Sequence, residues 1–244
     1  MKLFDLYIRI LKKQLWLYVI YLTLFFLFIV IGRKTYVGLA AVTLYYRYAV
    51  LAVMVLVMLT ISAVTAVTSD TELFMRHQAA PVRLEILELT YVGADLLVML
   101  FFWMLFFWMA VILCGEAAYS AEGLLMAVNL LSISLFSTAV GFMIGIFAKT
   151  AQSRGIVANL IALGLPFLGG SFELFRWGDS TVYLLRSFTP VFWYQRALDE
   201  ITVHWGKQES LENFAGYLGI QLIFALMVLT LGMMLAKQRK ESAY

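Results

Sequence analysis

The chain has 244 residues, of which 63% are hydrophobic and only 14% are charged. An ordinary soluble domain has roughly 45–50% apolar and about 25% charged residues, so this chain has too little polar surface to coat a water-soluble fold. The composition excludes a soluble enzyme, a secreted disulfide scaffold and a disordered chain. The mean hydropathy of +0.90 indicates an integral membrane protein, and a net charge of +3 gives no indication of nucleic-acid binding.

The N-terminus, residues 2–13, predicts an amphipathic helix at a membrane interface. Leu3, Leu6 and Ile10 fall on one helical stripe, and the basic residues fall on the opposite side. This pattern is typical of a helix in the cytoplasmic headgroup layer. The alternative is a solvated basic terminus that only sets the topology.

Six segments are long and apolar enough to cross a bilayer core, which is about 30 Å thick and requires about 20 helical residues. Alternating β-barrel segments are absent, so we expect an all-α polytopic membrane protein with one transmembrane domain over residues 1–244. The fifth span is the shortest and contains Pro166, Gly169 and Gly170, so we expect it to be bent or broken before it reaches the far side. The predicted spans are 14–32, 48–68, 93–113, 123–147, 156–172 and 214–236.

The distribution of Lys and Arg predicts that both termini are cytoplasmic. With the N-terminus inside, the inner segments carry 11 basic residues and the outer segments carry 7. The positive-inside rule favours this orientation, although Arg33, Lys34 and Arg47 in the first outer segment oppose it.

The predicted cytoplasmic loop, residues 69–92, has the pattern of two short helices joined by an elbow. Ser69 and Glu72 have capping-box spacing, which begins a helix. Pro81 ends that helix and opens a second one at Val82, before the third span begins at Gly93. Such an elbow is suited to receive force from a docked partner, and an ordinary connection is the equal alternative.

The predicted outer segment, residues 173–213, is long for a connection and contains its own helical pattern. Thr189 and Pro190 predict a helix start, and Gly206 predicts its end. We expect the helix to lie on the outer membrane surface or dip into it and close a pathway from outside; a simple interfacial anchor is the alternative. Its apolar stripe is Val191, Tyr194, Leu198, Ile201 and Trp205, and its polar side is Gln195, Arg196, Asp199, Glu200 and His204.

Few side chains indicate chemistry within the spans. Asp95 is expected in the first turn of the third span, where the helix dipole favours a carboxylate. Gly141 and Gly145 form a Gly-x-x-x-Gly pattern, which predicts close helix packing. Glu200 and His204, at i and i+4, are the only acid–base pair that favours an intramembrane enzyme as an alternative. The two histidines lie far apart and Cys114 is the only cysteine, so we expect no metal site.

Three segments, in this order and spacing, resemble those of ABC-2 type transporter permeases. The first is Glu72-Leu-Phe-Met-Arg76-His-Gln-Ala-Ala-Pro81-Val-Arg83-Leu-Glu85, which is similar to the cytoplasmic loop of that family. The second, Asn159 to Phe172, is similar to the fifth span with its small-residue turn. The third, Phe188-Thr-Pro190-Val-Phe-Trp-Tyr-Gln-Arg-Ala-Leu, is similar to the stretch that follows.

The resemblance implies an exporter subunit that is not itself an enzyme. The sequence contains no G-x-x-x-x-G-K-[S/T] loop, so ATP and magnesium would bind a separate subunit. The implied partners are two ATP-binding subunits, a second permease subunit (a copy or a paralogue) and the lipid bilayer, in a bacterial cytoplasmic membrane. Apolar and hydroxyl residues in the spans favour an amphipathic or hydrophobic cargo such as a peptide, a drug or a lipid-linked glycan.

The resemblance also implies site residues. Those expected to couple to the ATPase are Glu72, Arg76, Pro81, Arg83 and Glu85. Those expected to line or gate a path formed by the second and fifth spans are Ser62, Thr65, Asn159, Pro166, Gly169 and Gly170.

Overall fold

A computed structural model describes residues 12, 16, 18–23, 25, 36–68, 84–148, 150–171, 180–204 and 208–241. Within these ranges, only the backbone is described for 67–68, 84–92, 180–182, 208 and 236–241. The described residues are helical throughout apart from short turns, and they contain no strand. The prediction of an all-α protein is therefore confirmed for this part of the chain.

Seven α-helices are described. They are α1 (Leu39–Thr68), α2 (Leu84–Cys114), α3 (Ala121–Phe147), α4 (Ala151–Gly169), α5 (Ser180–Ser187), α6 (Pro190–Val203) and α7 (Gln208–Glu241), with a 3₁₀ helix, Gly115–Tyr119, between α2 and α3. Five of them, α1, α2, α3, α4 and α7, are long and apolar enough to cross a membrane. They correspond to the second to sixth predicted spans, which confirms a membrane-embedded protein.

The first predicted span lies mostly outside the described residues, as do residues 2–11 of the predicted interfacial helix. The described residues of the first span are helical and join the core. Tyr18 shares a hydrogen bond with Thr60 of α1 at 2.7 Å. The ring of Phe25 packs edge-on against Tyr45 of α1, with their centroids 5.3 Å apart.

Several predicted helix ends were wrong. Helix α1 begins nine residues before position 48, directly after Gly38, whose φ of +64° turns the chain. Helix α2 begins at Leu84 rather than Gly93, so the second loop helix and the third span are one continuous helix. Asp95 therefore lies well inside α2, where it is buried, and it does not cap a first turn.

Helix α4 runs uninterrupted through Pro166, so the expected break does not occur there. It starts earlier than predicted, because Thr150 and Ser153 form a capping box before its first turn. It ends at Gly169, where Gly170 adopts a left-handed φ of +89° and closes the turn. At 19 residues it is roughly 28 Å long, just enough to span the hydrocarbon core.

The closest helix contact is between α1 and α3, and the Gly-x-x-x-Gly prediction is confirmed there. A Cβ at Gly145 would lie 2.5 Å from Cβ of Thr65, and one at Gly141 would lie 3.1 Å from Cα of Met58. Only glycine lets the two backbones approach this closely. Since residue numbers rise together along both helices, α1 and α3 run parallel.

Helix α7 also runs parallel to α3, because Gln221 contacts Asn129 and Gly232 lies against Phe142 further along. Helix α1 is the most enclosed of the five, with 89% of its most apolar stretch buried, against 17% for α4 and for α7. The long apolar faces of α4 and α7 are exposed, as expected for helices that contact lipid.

The α1–α3 contact predicts a sharp difference between two glycines. We expect Gly145→Ala to lower stability by about 1–3 kcal/mol, because the new methyl group meets Thr65 and the carbonyl of Ser62. Gly155→Ala on α4 is the matched control, since nothing lies within 4 Å of a Cβ there. The measurement is the thermal midpoint of the detergent-solubilised protein, and equal midpoints for the two variants would contradict the close packing.

Candidate functional site

Helix α6 closes one end of the helical bundle, which we call the α6 end. It begins as predicted: Thr189 Oγ1 accepts a hydrogen bond from the amide of Phe192, and Pro190 occupies the first helical position. Four residues of the predicted apolar stripe are buried, namely Val191, Tyr194, Leu198 and Ile201. Trp205 lies outside the described residues.

We expected α6 to lie on the outer membrane surface or to dip into it, and the structure packs it into one end of the bundle. It packs among α1, α3, α4 and α7, at the end where α4 stops and α7 begins. A Cβ at Gly169, the last residue of α4, would lie 2.8 Å from Cβ of Val191 and 2.9 Å from the amide nitrogen of Phe192. Helix α6 is therefore wedged between the spans instead of lying on their outer surface.

Tyr194 is the deepest polar residue of α6. Its hydroxyl donates to the carbonyl oxygen of Tyr46 in α1 at 2.6 Å. Burial raises the pKa of the Tyr194 phenol well above its usual value of 10.0. The hydroxyl therefore stays protonated at neutral pH and remains a donor.

Gln195 was predicted on the polar face, and this was wrong, because its side chain is buried. Its Nε2 donates to Ser171 Oγ at 2.7 Å and to the carbonyl oxygen of Arg47 at 3.4 Å. Gln195 thus links α6 to the chain just after α4 and to the first turns of α1. The side chain of Gln195 therefore faces protein partners rather than water.

The rim of the contact between α6 and α1 is charged. Arg47 donates from Nη2 to Asp199 Oδ1 at 2.8 Å, and Arg47 is 20% exposed while Asp199 is 51% exposed. At this exposure the ion pair is screened by solvent and contributes modestly, about 0.2–1 kcal/mol. Thr43 and Thr202 share a further hydrogen bond at 3.1 Å.

Asn129 of α3 joins α6 to α7 inside the bundle. Its Nδ2 donates to the carbonyl oxygen of Tyr194 at 2.9 Å, and its Oδ1 accepts from Gln221 Nε2 of α7 at 2.9 Å. Both amide side chains are fully buried. The α3 hydroxyls of Ser134, Ser137 and Thr138 instead donate to backbone carbonyls of their own helix.

Sequence reasoning missed Tyr46 and Gln221 as parts of this site. The sequence could have indicated Gln221, because it is the most polar residue in the otherwise apolar stretch 214–236. A glutamine inside a membrane span requires a partner. Tyr46 carried no signal, since it supplies only its backbone carbonyl.

Glu200 and His204 lie together, with Glu200 Oε2 3.5 Å from His204 Nδ1. Glu200 also accepts from Asn213 of α7 at 3.4 Å, so this pair fastens α6 to α7. Asp199 faces Arg47 and does not complete a catalytic set. Across the described part of the chain, no group of three side chains suitable for a metal ion occurs.

The residues expected to line a path are separated in the structure. Ser62 and Thr65 are buried at the α1–α3 contact within one chain. Asn159 of α4 accepts a short hydrogen bond from Tyr21 of the first span. Pro166, Gly169 and Gly170 form the end of α4 beside α6, so only these three belong to the α6 end.

Most of the residues expected to couple to an ATPase lie outside the residues that the structure describes. Glu72, Arg76, Pro81 and Arg83 are outside the described residues, as is the predicted capping box of the loop. Glu85 lies in the first turn of α2, where only the backbone is described. No protein-family profile, no curated protein and no solved structure matches this chain.

The polar bridge predicts unequal effects of its two amides. Asn129→Leu leaves Nε2 of Gln221 buried without a partner and removes the side-chain hydrogen bond to the carbonyl of Tyr194, so we expect it to lower stability by about 1–3 kcal/mol. Gln221→Met leaves only Asn129 Oδ1 without its partner. It also removes Gln221 Oε1, a buried oxygen that has no hydrogen-bond partner in the parental protein. We expect a smaller loss for Gln221→Met. Thermal unfolding in detergent measures both, and the reverse order would contradict the assigned bridge.

Proposed function

We propose that the chain is the permease subunit of an ATP-binding-cassette exporter. It forms the translocation path for an amphipathic or hydrophobic cargo, such as a peptide or a drug, and ATP hydrolysis takes place on a separate subunit. The observation that carries the proposal is α6, a helix between the last two spans that is wedged into one end of the bundle. A wedged helix at that position is suited to close a path, and the ordered resemblance to ABC-2 permeases supports the same role.

A bundle of six spans is part of the proposal. Five candidate spans are described. Residues 18–23 and 25 belong to a further predicted span before them, and these residues are helical and pack on α1. Phe25 approaches Tyr45 near the start of α1, and Tyr18 meets Thr60 further along, so the first span runs antiparallel to α1. This is the direction that a preceding span connected by a short loop requires.

The continuity of α2 supports a coupling role for the loop before it. Because α2 runs unbroken from Leu84 to Cys114, a displacement at Glu85 is carried rigidly into the span. A docked ATPase that moves this turn would therefore move the membrane helix directly. Under the proposal Glu72, Arg76, Pro81, Arg83 and Glu85 form the docking surface, with the α6 end facing outward and both termini in the bacterial cytoplasm.

Two alternatives have less support. An intramembrane enzyme would use Glu200 and His204, but Glu200 is engaged by Asn213 of α7, and His204 is half exposed at the end of α6. A permease for a lipid-linked glycan would use the same fold. The proposal names a peptide or a drug because the residues of the spans are mostly apolar, and cargo export with defined substrates separates these cases.

The coupling loop gives the functional test. Glu72→Ala removes a predicted cap, about 0.5–2 kcal/mol of local helix stability, and Pro81→Gly loosens the elbow. We expect the double variant to insert normally but to lose ATPase association or to hydrolyse ATP without export. The measurement compares complex recovery and export, both normalised to membrane abundance.

The matched control for this test is Ser120→Ala, which removes the N-cap of α3 at the α6 end. It should leave complex recovery unchanged. Export at the parental level in the double variant would make the loop a simple connection. Robust ATP hydrolysis by the purified chain alone would contradict the whole proposal.

Cysteine labelling tests the orientation. In a Cys114→Ala background, Gln152→Cys at the start of α4 should react only from the cytoplasm. Glu209→Cys at the start of α7 should react only from outside. Both side chains are exposed and lie at opposite ends of the bundle. Reaction from the same side would contradict the direction of α4 and α7, and exchanged sides would reverse the proposed orientation.

A further inference from the structure

Helix α5 presents an apolar face at the α6 end of the bundle. Leu184 is 60% exposed, Leu185 is 65% exposed and Phe188, just after the helix, is 69% exposed. This face continues onto Phe167 and Leu168 of α4, which are also exposed. Because α4 is a candidate span, the apolar face of α5 lies at the level where that span reaches the membrane boundary.

A row of aromatic rings joins α5 to α6 and α7 beside this face. The rings of Tyr183 and Phe192 are 5.2 Å apart and perpendicular, and Trp193 follows Phe192 at 5.2 Å. Tyr217 of α7 is 5.6 Å from Trp193, whose Nε1 donates to the carbonyl of Ser187. Tyrosine and tryptophan are enriched at headgroup depth, where one end of the side chain is apolar and the other is wet.

Arg196 lies over this aromatic row. Its guanidinium carbon is 5.4 Å from the ring centroid of Tyr183 and 5.4 Å from that of Phe192. The side chain is exposed, and no carboxylate among the described residues pairs with it. A cation–π contact uses no oxygen acceptor, so the N–H groups of Arg196 stay available for an anion.

The other described arginines of this end are already engaged. Arg47 binds Asp199. The guanidinium of Arg186 lies within 4 Å of a Cβ placed at Gly170, beside the negative end of the α4 helix dipole. Arg196 is thus the arginine of this group whose charge meets rings instead of a negative group.

We propose that Arg196, held over Tyr183 and Phe192, binds the phosphate of an anionic phospholipid headgroup whose acyl chains lie along the exposed face of α4 and α5. A guanidinium edge matches a phosphate in a bidentate arrangement. A net negative headgroup is favoured over phosphatidylcholine, because the positive charge of Arg196 over Tyr183 and Phe192 repels a choline there. The site does not depend on the proposed export function.

Native mass spectrometry of the full chain in detergent tests the site, with phosphatidylglycerol or phosphatidylcholine added as the probe. We expect the parental protein to retain phosphatidylglycerol in preference to phosphatidylcholine. Arg196→Gln should weaken phosphatidylglycerol binding at least about tenfold, the scale of a lost charge-assisted hydrogen bond. Arg196→Lys, which keeps the charge but loses the bidentate edge, should bind with intermediate affinity.

Arg154→Gln is the matched control, because it removes an arginine at the opposite end of the bundle, where Arg154 donates to the carbonyl of Ala148. It should retain lipid as the parental protein does. Equal retention by Arg196→Gln, or equal loss in Arg154→Gln, would overturn the proposal. Displacement of the lipid by millimolar inorganic phosphate would identify a free-phosphate site and overturn the lipid assignment. An unchanged thermal midpoint for Arg196→Gln shows that the fold is intact.

Discussion

The close approach of α1 and α3 at Gly141 and Gly145 is the contact on which the bundle depends. In a membrane, lipid tails solvate an apolar side chain as well as a protein does, so helices associate through close packing and hydrogen bonds rather than through the hydrophobic effect. The two glycines, about one turn apart on α3, allow close backbone contact with α1, and α1 becomes enclosed on nearly all sides. The more exposed helices α2, α4 and α7 are arranged around this pair.

Buried polar groups supply the second constraint, because the hydrocarbon region offers them no water. Asn129 hydrogen-bonds to Gln221 and to the backbone carbonyl of Tyr194, which links three helices, two of which are spans and the third of which is α6. Each of these side chains would be unfavourable in lipid alone, yet together they specify how α6 sits between α3 and α7. Polar residues thus set the register at the α6 end, and the glycine contact holds α1 and α3 together toward the opposite end of the bundle.

The sequence was sufficient for the number and type of the described spans, since hydropathy and length are local properties. The sequence did not predict where these helices begin. Helix α1 extends back past Arg47, a charge that a span prediction treats as a boundary, because Asp199 pairs with it from far along the chain. Gln195 was assigned to the polar face for a similar reason: a helical pattern cannot distinguish water from a buried partner such as Ser171.

The packing of α6 also indicates where its end of the bundle would open at least cost. Its polar contacts concentrate on α1, through Tyr194, Gln195 and the Arg47–Asp199 pair, and on α3, through Asn129. The α4 side meets α6 through the Gly169 approach to Val191 and one buried hydrogen bond, from Gln195 to Ser171, and α4 is the shortest and among the least buried of the candidate spans. Separating α4 from α6 breaks fewer buried hydrogen bonds than lifting α6 from α1 and α3, and each buried group left unpaired costs about 1–3 kcal/mol. Under the proposed export function, a path at this end is therefore expected on the α4 side, with α6 moving together with α1, α3 and α7.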